Sequence, residues 1–321
     1  MESESVEPGD GATRAEGFLL RSWWNRPVST ADRAPDAELV ALTRRIARSV
    51  QTTVGWIFWD PGAVSRYEAL GLPGPLGYIA ARAAPLGPAG PEAIAAAFGS
   101  ISPPAIAAAC DLVARHSSFA DVWAARDAAV VEGLAAHAPA ILEPLADFGT
   151  ELWELVEHLP RVGRVLFAAH LTMPRPTDPV LSGWHAVNCL REWRGDTHWA
   201  LVVAAGLTGT EASVLHNEWL GYEADWLPRS RGSAPTDITT ARAVLAACGL
   251  IDSAGATAAG RALRQHLEDE TDRLTVTPWA HLGVTRTLAL AEALEPSCEL
   301  LLARVDLTAG PNYQPASRIR D

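Results

Sequence analysis

Gly249-Leu250-Ile251-Asp252-Ser253-Ala254-Gly255-Ala256-Thr257 is the stretch whose reading decides the fold. It reads as a helix-ending glycine, a short strand, a tight turn, and a threonine that opens another helix. The long amphipathic segment Ala258 to Leu274 follows it. Upstream, Thr236 or Asp237 opens a helix over Ile238 to Ala247. Further back, an apolar helix from Trp199 ends at Gly206, and Leu207-Thr208-Gly209-Thr210-Glu211-Ala212 caps the next one. Thr208 or Thr210 serves as the N-cap acceptor there, and Glu211 suits the positive end of the helix dipole. The order is helix, helix, helix, β-turn, long helix.

That order is the winged-helix order. At Ala256-Thr257-Ala258-Ala259-Gly260-Arg261-Ala262-Leu263, then Glu268 and Thr271-Asp272-Arg273, the chain resembles the C-terminal part of MarR-like winged-helix proteins, with Ala256 replacing the usual leucine. A fainter copy lies upstream, where Ala84 to Ala93 reads like Ala205 to Ala212 and Ala125 to Leu134 reads like Gly260 to Leu267. Matches this short also arise by chance in an Ala-rich chain.

Elsewhere, apolar residues recur at three- and four-residue spacing near 37–52, 91–99, 104–115, 121–136, 139–158, 181–205, 237–248, 258–274 and 284–303. The expected fold is mostly α: degenerate winged-helix units, in tandem if the upstream copy is genuine, with added helices and a short β-wing. The expected organisation is a disordered acidic tail (1–17), an N-terminal helical domain (18–160), a C-terminal winged-helix-like domain (161–305) and a flexible tail (306–321).

The 321 residues carry 26 basic and 38 acidic groups, a net charge of −12, and every basic residue is arginine. The lack of lysine excludes Schiff-base chemistry and a Walker-type phosphate loop. Heavy Ala use with Arg in place of Lys fits a GC-rich actinobacterial coding background. Cys110, Cys189, Cys248 and Cys298 have no ligand spacing and read as buried small hydrophobes of a reducing compartment. Met1 to Gly17 is acidic without an apolar stretch, and no apolar run approaches the ~20 residues that span a bilayer. A cytoplasmic protein with no membrane partner is expected. GxSxG, GxGxxG, HExxH and CxxC are absent, so no cofactor or metal is assigned.

Charge also bears on DNA. A reading helix needs Arg, Asn, Gln or Ser, and its wing needs a base. The helix Asp237 to Ala247 offers only Arg242, and the wing Asp252-Ser253-Ala254-Gly255 has one acid and no base. Over Thr208 to Arg273, ten acids face six arginines. Phosphate neutralisation supplies most non-specific DNA affinity, so nucleic acid is not an expected partner. Arg229-Ser230-Arg231 is the local exception. A DNA-repair glycosylase on tandem winged helices would need a basic groove that this composition does not supply.

Candidate chemistry concentrates in Trp184 to Trp199. If this is one helix, His185, Glu192, Asp196 and Trp199 share a face, with Arg191, Gly195 and His198 on the neighbouring stripe. His185 and His198 then exchange protons while Glu192 and Asp196 orient them or titrate. The alternative is that Gly195 breaks the helix, Asp196 caps the next one, and Glu192 pairs with Arg191 or Arg194. Leu190-Arg191-Glu192-Trp193-Arg194-Gly195-Asp196-Thr197-His198, Gly77-Tyr78-Ile79-Ala80-Ala81-Arg82-Ala83-Ala84-Pro85-Leu86-Gly87, and Thr271 to Leu274 with Pro278-Trp279 form three blocks. Through them the chain is similar, over roughly 40 to 300, to a family of actinobacterial helix-turn-helix-like proteins. That family usually has histidine at Trp193 and near Gly55. The resemblance therefore implies that this member gained aromatic surface, as for a specialised ligand pocket.

Clustered tryptophans suit planar or apolar ligands, and Trp56, Trp59, Tyr78, Arg82, Trp193 and Trp199 are the candidate ligand-binding residues. Arg82, inside an apolar block, needs a buried carboxylate such as Glu192, Asp196 or Asp272. The remaining histidines, His170 and His216 among them, read as ordinary core or surface positions. The expected function is binding of a small apolar or aromatic molecule in actinobacterial specialised metabolism such as antibiotic biosynthesis, with or without cofactor-independent acid–base catalysis. The alternative is a ligand-responsive winged-helix regulator. A homodimer is left open.

Overall fold

A computed structural model describes residues 36–318. The acidic tail expected over 1–17 lies outside the described residues. From Ala37 onward the chain is one compact unit.

It is mostly α. The helices are α1 (Ala37–Gly55), α2 (Pro61–Ala69), α3 (Pro75–Ala83), α4 (Pro91–Phe98), α5 (Pro103–His116), α6 (Phe119–His137), α7 (Leu142–His158), α8 (Val165–His170) and α9 (Pro179–Ala204). There follow α10 (Gly209–Leu220), α11 (Trp226–Ser230), α12 (Pro235–Ala247), strands β1 (Ile251–Asp252) and β2 (Gly255–Ala256), α13 (Ala258–Leu274), α14 (Thr277–Leu282), α15 (Val284–Thr308) and α16 (Pro315–Arg318). Proline stands in the first turn of α2, α3, α4, α5, α9 and α12, where its missing N–H costs nothing. Asp60, Ser102, Ser118, Asp178 and Thr257 add N-cap bonds.

The deciding stretch folds as a β-turn between two helices. Thr208 and Glu211 form a reciprocal capping box on α10. Gly249 has φ +70°, where a side chain would be strained. β1 and β2 pair antiparallel, Ile251 opposite Ala256 and Asp252 opposite Gly255. Thr257 caps α13 through Gly260 N–H at 3.1 Å and donates its hydroxyl to Gly249 O at 2.7 Å. The motif glycine Gly260 has a plain reason: a Cβ there would lie 2.0 Å from the Leu250 carbonyl oxygen. Val214, Leu215, Ile238, Ala241, Leu245 and Ile251 form a small core of their own beneath this unit.

Upstream, where the fainter copy was expected, α3, α4, α5 and α6 follow one another with no β-hairpin among them. Only Ser117 and Ser118 separate α5 from α6.

The main core ignores the boundary expected at 160. It runs from Ile46 to Val305 and takes side chains from both expected domains. Its closest crossing is α7 on α9, where a Cβ on Gly183 would stand 1.9 Å from the Leu145 carbonyl oxygen. The end of the chain also departs from expectation. Residues 306–318, read as part of a flexible tail over 306–321, are held: Gln314 and Ser317 are buried, and Arg318 donates to Tyr313 O and Asp306 at 2.6 Å.

Candidate functional site

α9 runs unbroken from Pro179 to Ala204, so Gly195 is inside the helix rather than at its end. The reading in which Gly195 breaks the helix and Asp196 caps a new one is thereby corrected. A helical glycine costs roughly 1 kcal/mol against alanine, and packing does not demand this one. The nearest atom to a Cβ at Gly195 would be Glu192 Oε2, at 3.8 Å. Gly195 lines the floor of a cleft.

That cleft lies where α1, α3, α9, α10 and α13 meet the segment 313–318. Three adjoining chambers of about 160, 130 and 70 Å³ share Arg231 and Ala316 in their walls. Its chemistry is dominated by guanidinium groups. Arg82 donates to both Glu192 oxygens, at 3.0 and 2.7 Å, and Arg191 donates to the same carboxylate. Arg194 donates to Asp272 at 2.9 Å and Glu268 at 3.3 Å, and Arg264 pairs with Glu268. Arg82 lies over Phe98 at 4.4 Å, Arg191 over Phe58 at 5.4 Å and Arg264 over Trp219 at 4.9 Å. These stacks desolvate the cations on one face and leave the edges for acceptors.

Burial alone would raise the Glu192 carboxyl, but Arg82 and Arg191 outweigh it and hold it well below the usual carboxylate range. Glu268 behaves likewise: burial opposes, and Arg264 and Arg194 prevail. Burial pushes His198 down to about 4, against a counter-pull from Glu268. His216 lies well below its ordinary value, through burial and then the Arg264 charge.

The candidate catalytic residues separate. Glu192 and His198 line the cleft. His198 Nδ1 is bonded to Thr271 Oγ1 at 2.9 Å. His185 faces α6 instead, with Nε2 3.0 Å from Asp127 Oδ1 and 3.3 Å from Arg126 Nη2. Asp196 accepts the Phe167 N–H at 2.9 Å, and burial pushes its carboxyl up to about 7. Neither His185 nor Asp196 is in the cleft wall. The four positions share one helix, and His185, Glu192 and Asp196 share its face. Offsets of 7 and 11 residues along the axis, roughly 10 and 16 Å, set these three against different neighbours, while His198 projects from another stripe.

Of the candidate ligand-binding residues, Tyr78, Arg82 and Trp199 line the main chamber and Trp59 an adjoining one. Trp199 packs on Gly99, where a Cβ would come within 2.1 Å of the indole. Trp56 is a core residue, edge-on to His137 at 6.4 Å. Trp193 is buried too, donating to Pro160 O at 3.1 Å beneath Arg164. The sequence reading passed over Arg194, His216, Arg231 and Arg264 as site residues. They come from four separate elements with no common spacing, and only Arg231, in its Arg-Ser-Arg loop, carried a local signal.

Two of the three blocks singled out above meet in the cleft's walls, Tyr78 and Arg82 from the Gly77 to Gly87 block and Arg191, Glu192, Arg194, Gly195 and His198 from the Leu190 to His198 block. The third stands behind them, Thr271 bonded to His198 and Asp272 to Arg194. A family model described as a helix-turn-helix family matches residues 43–308. The chain belongs to this helix-turn-helix family. Searches of curated proteins and of solved structures returned no match.

In this helix-turn-helix protein α12 and the β-hairpin carry little positive charge. Arg242, the arginine of α12, is bound by Glu218 and Asp225. The exposed face of α12 presents Thr236, Asp237, Thr239, Thr240, Ala243 and Val244. Among the described residues, no group of three or more His, Cys, Asp or Glu is placed to hold a metal ion. No described helix is long and apolar enough to cross a membrane.

Proposed function

We propose that this helix-turn-helix protein binds a small molecule in the cleft around Arg82, Glu192, Trp199 and Arg231. The observation that carries the reading is the meeting of two distant sequence blocks, 77–87 and 190–198, in the wall of one cavity that mixes aromatic rings with guanidinium groups, with the third block packed behind it. Pockets of that kind combine apolar contact with a few placed polar groups. Binding is favoured over acid–base catalysis because Glu192 is tied to two arginines while His185 and Asp196 face elsewhere. Thermal-melt and tryptophan-fluorescence screening against small aromatic compounds tests it. A cleft ligand raises the melting temperature and perturbs emission in wild type but less in Trp199→Ala. Compounds that bind equally to both would argue against the cleft.

Family membership favours a second reading, a regulator in which the same ligand controls DNA binding. A gel shift with the DNA flanking its own gene, at low salt and with and without ligand, separates the two. A specific, salt-sensitive shift supports the regulator; its absence leaves α12 as scaffold.

A further inference from the structure

The cleft's walls hold more positive charge than their own carboxylates answer. Arg82, Arg191, Arg194, Arg231 and Arg264 line the main chamber against Glu192 and Glu268. Counting Asp272 behind Arg194 as a third carboxylate still leaves two guanidinium charges over. Arg231 accounts for one of them directly. Among the described residues its guanidinium has no hydrogen-bond or ion-pair partner, yet it lines all three chambers. Its backbone is fixed, since the Arg231 carbonyl accepts Ser102 N–H at 2.9 Å.

The polar atoms left over are of one kind. Arg194 Nε, Arg264 Nη1 and His216 Nε2 are buried without a partner, and all three side chains line the main chamber. A guanidinium only donates. Because Arg264 Nη2 lies 3.4 Å from His216 Nδ1, that nitrogen is the acceptor and neutral His216 carries its proton on Nε2. The three orphans are therefore all donors. Buried donors normally have acceptors, and a chamber whose walls keep spare donors and spare positive charge is complementary to an oxyanion.

Resting on the small-molecule reading above, we infer that the cleft's ligand carries an oxyanion head, a phosphate or carboxylate. The head is held by Arg231 and Arg264 beside Arg194, and the planar body lies toward Trp199. Arg231 contributes most to affinity and least to folding, because it gives up no internal bond when replaced.

The probes are phenyl phosphate and benzoate, with phenol and benzyl alcohol as neutral counterparts and inorganic phosphate alone, titrated into the full chain by calorimetry at two salt concentrations. The expected result is binding of phenyl phosphate or benzoate that is at least tenfold tighter than that of the neutral counterparts. It weakens with salt and falls at least tenfold in Arg231→Gln, whose melting temperature is unchanged. Which anion binds tighter tells phosphate from carboxylate. Equal binding of neutral and anionic probes, insensitive to Arg231→Gln, overturns the oxyanion assignment and leaves the small-molecule reading standing. Failure of every probe to bind overturns the assignment, and failure of the neutral aromatic screen as well removes both.

Discussion

Arg82 on α3 and Glu192 on α9, 110 residues apart, meet in a two-pronged ion pair with both oxygens engaged, at 3.0 and 2.7 Å. Glu192 is 1% exposed and also holds Arg191. Removing one partner of such a pair leaves the other's charge uncompensated, at a cost of about 3–5 kcal/mol. Glu192→Gln strands two cations at once, so urea unfolding should show a loss at the upper end of that range. A change under about 1 kcal/mol would mean the pair is solvated in solution.

Gly183 and Gly149 face each other across α7 and α9 but differ in room. A Cβ on Gly183 would meet the Leu145 carbonyl oxygen at 1.9 Å, whereas one on Gly149 would find only ordinary contacts from 3.5 Å outward. Gly183→Ala should therefore destabilise by about 1–3 kcal/mol or more through overpacking. Gly149→Ala should be neutral or stabilise by up to about 1 kcal/mol through helix propensity. Thermal melts of the two variants, compared side by side, check the pair.

Gly195 offers a trade between stability and binding. Alanine fits its helical backbone and should add about 0.5–1 kcal/mol of stability. Its methyl would project beside Glu192 on the cleft floor, so ligand affinity should fall while the melting temperature rises. Unchanged affinity in Gly195→Ala would place the ligand elsewhere.

Acid sensitivity follows from buried imidazoles. Burial pushes His170 from 6.5 to about 4; its Nδ1 is bonded to Leu166 O at 2.8 Å and its Nε2 has no partner. His198 also sits near 4. A depressed histidine contributes stability that is present above 6.5 and lost as pH falls toward 4, because the unfolded chain takes up the proton first. Asp196, raised by burial from 3.8 to about 7, has the opposite sign: its contribution is full below 3.8 and is lost as pH rises through 7. The histidines outnumber it, so stability should fall from pH 6.5 to 4. His170→Asn should flatten that slope by about 3 kcal/mol across the window, and Asp196→Asn should steepen it. Chemical denaturation at pH 4.5, 5.5 and 6.5 reads both slopes.

The helices were legible because their apolar periodicity and caps are local. Thr208 marks the start of α10, Gly249 the end of α12 and Thr257 the start of α13, in sequence as in structure. The partner of Arg82 was legible as a choice of three carboxylates, since an arginine in an apolar block requires one. Arg231, Arg264 and His216 were hidden because their meeting depends on packing between elements. Summed charge hid the cleft as well. The chain is at −12, but carboxylates such as Glu132, Asp269 and Asp306 lie at the surface while the guanidinium surplus turns inward. The tail 306–318 read as loose from Gly310, Pro311 and Pro315, yet Tyr313 stacks on Trp59 at 3.8 Å and Gln314 is buried.

A crystal structure of the chain with the tightest-binding compound from the aromatic screen tests the central claim most directly. The account predicts density between Arg231 and Trp199, with the ligand's polar end within hydrogen-bond distance of the Arg231 guanidinium. Density at any other site, with this cleft holding only water, would contradict it.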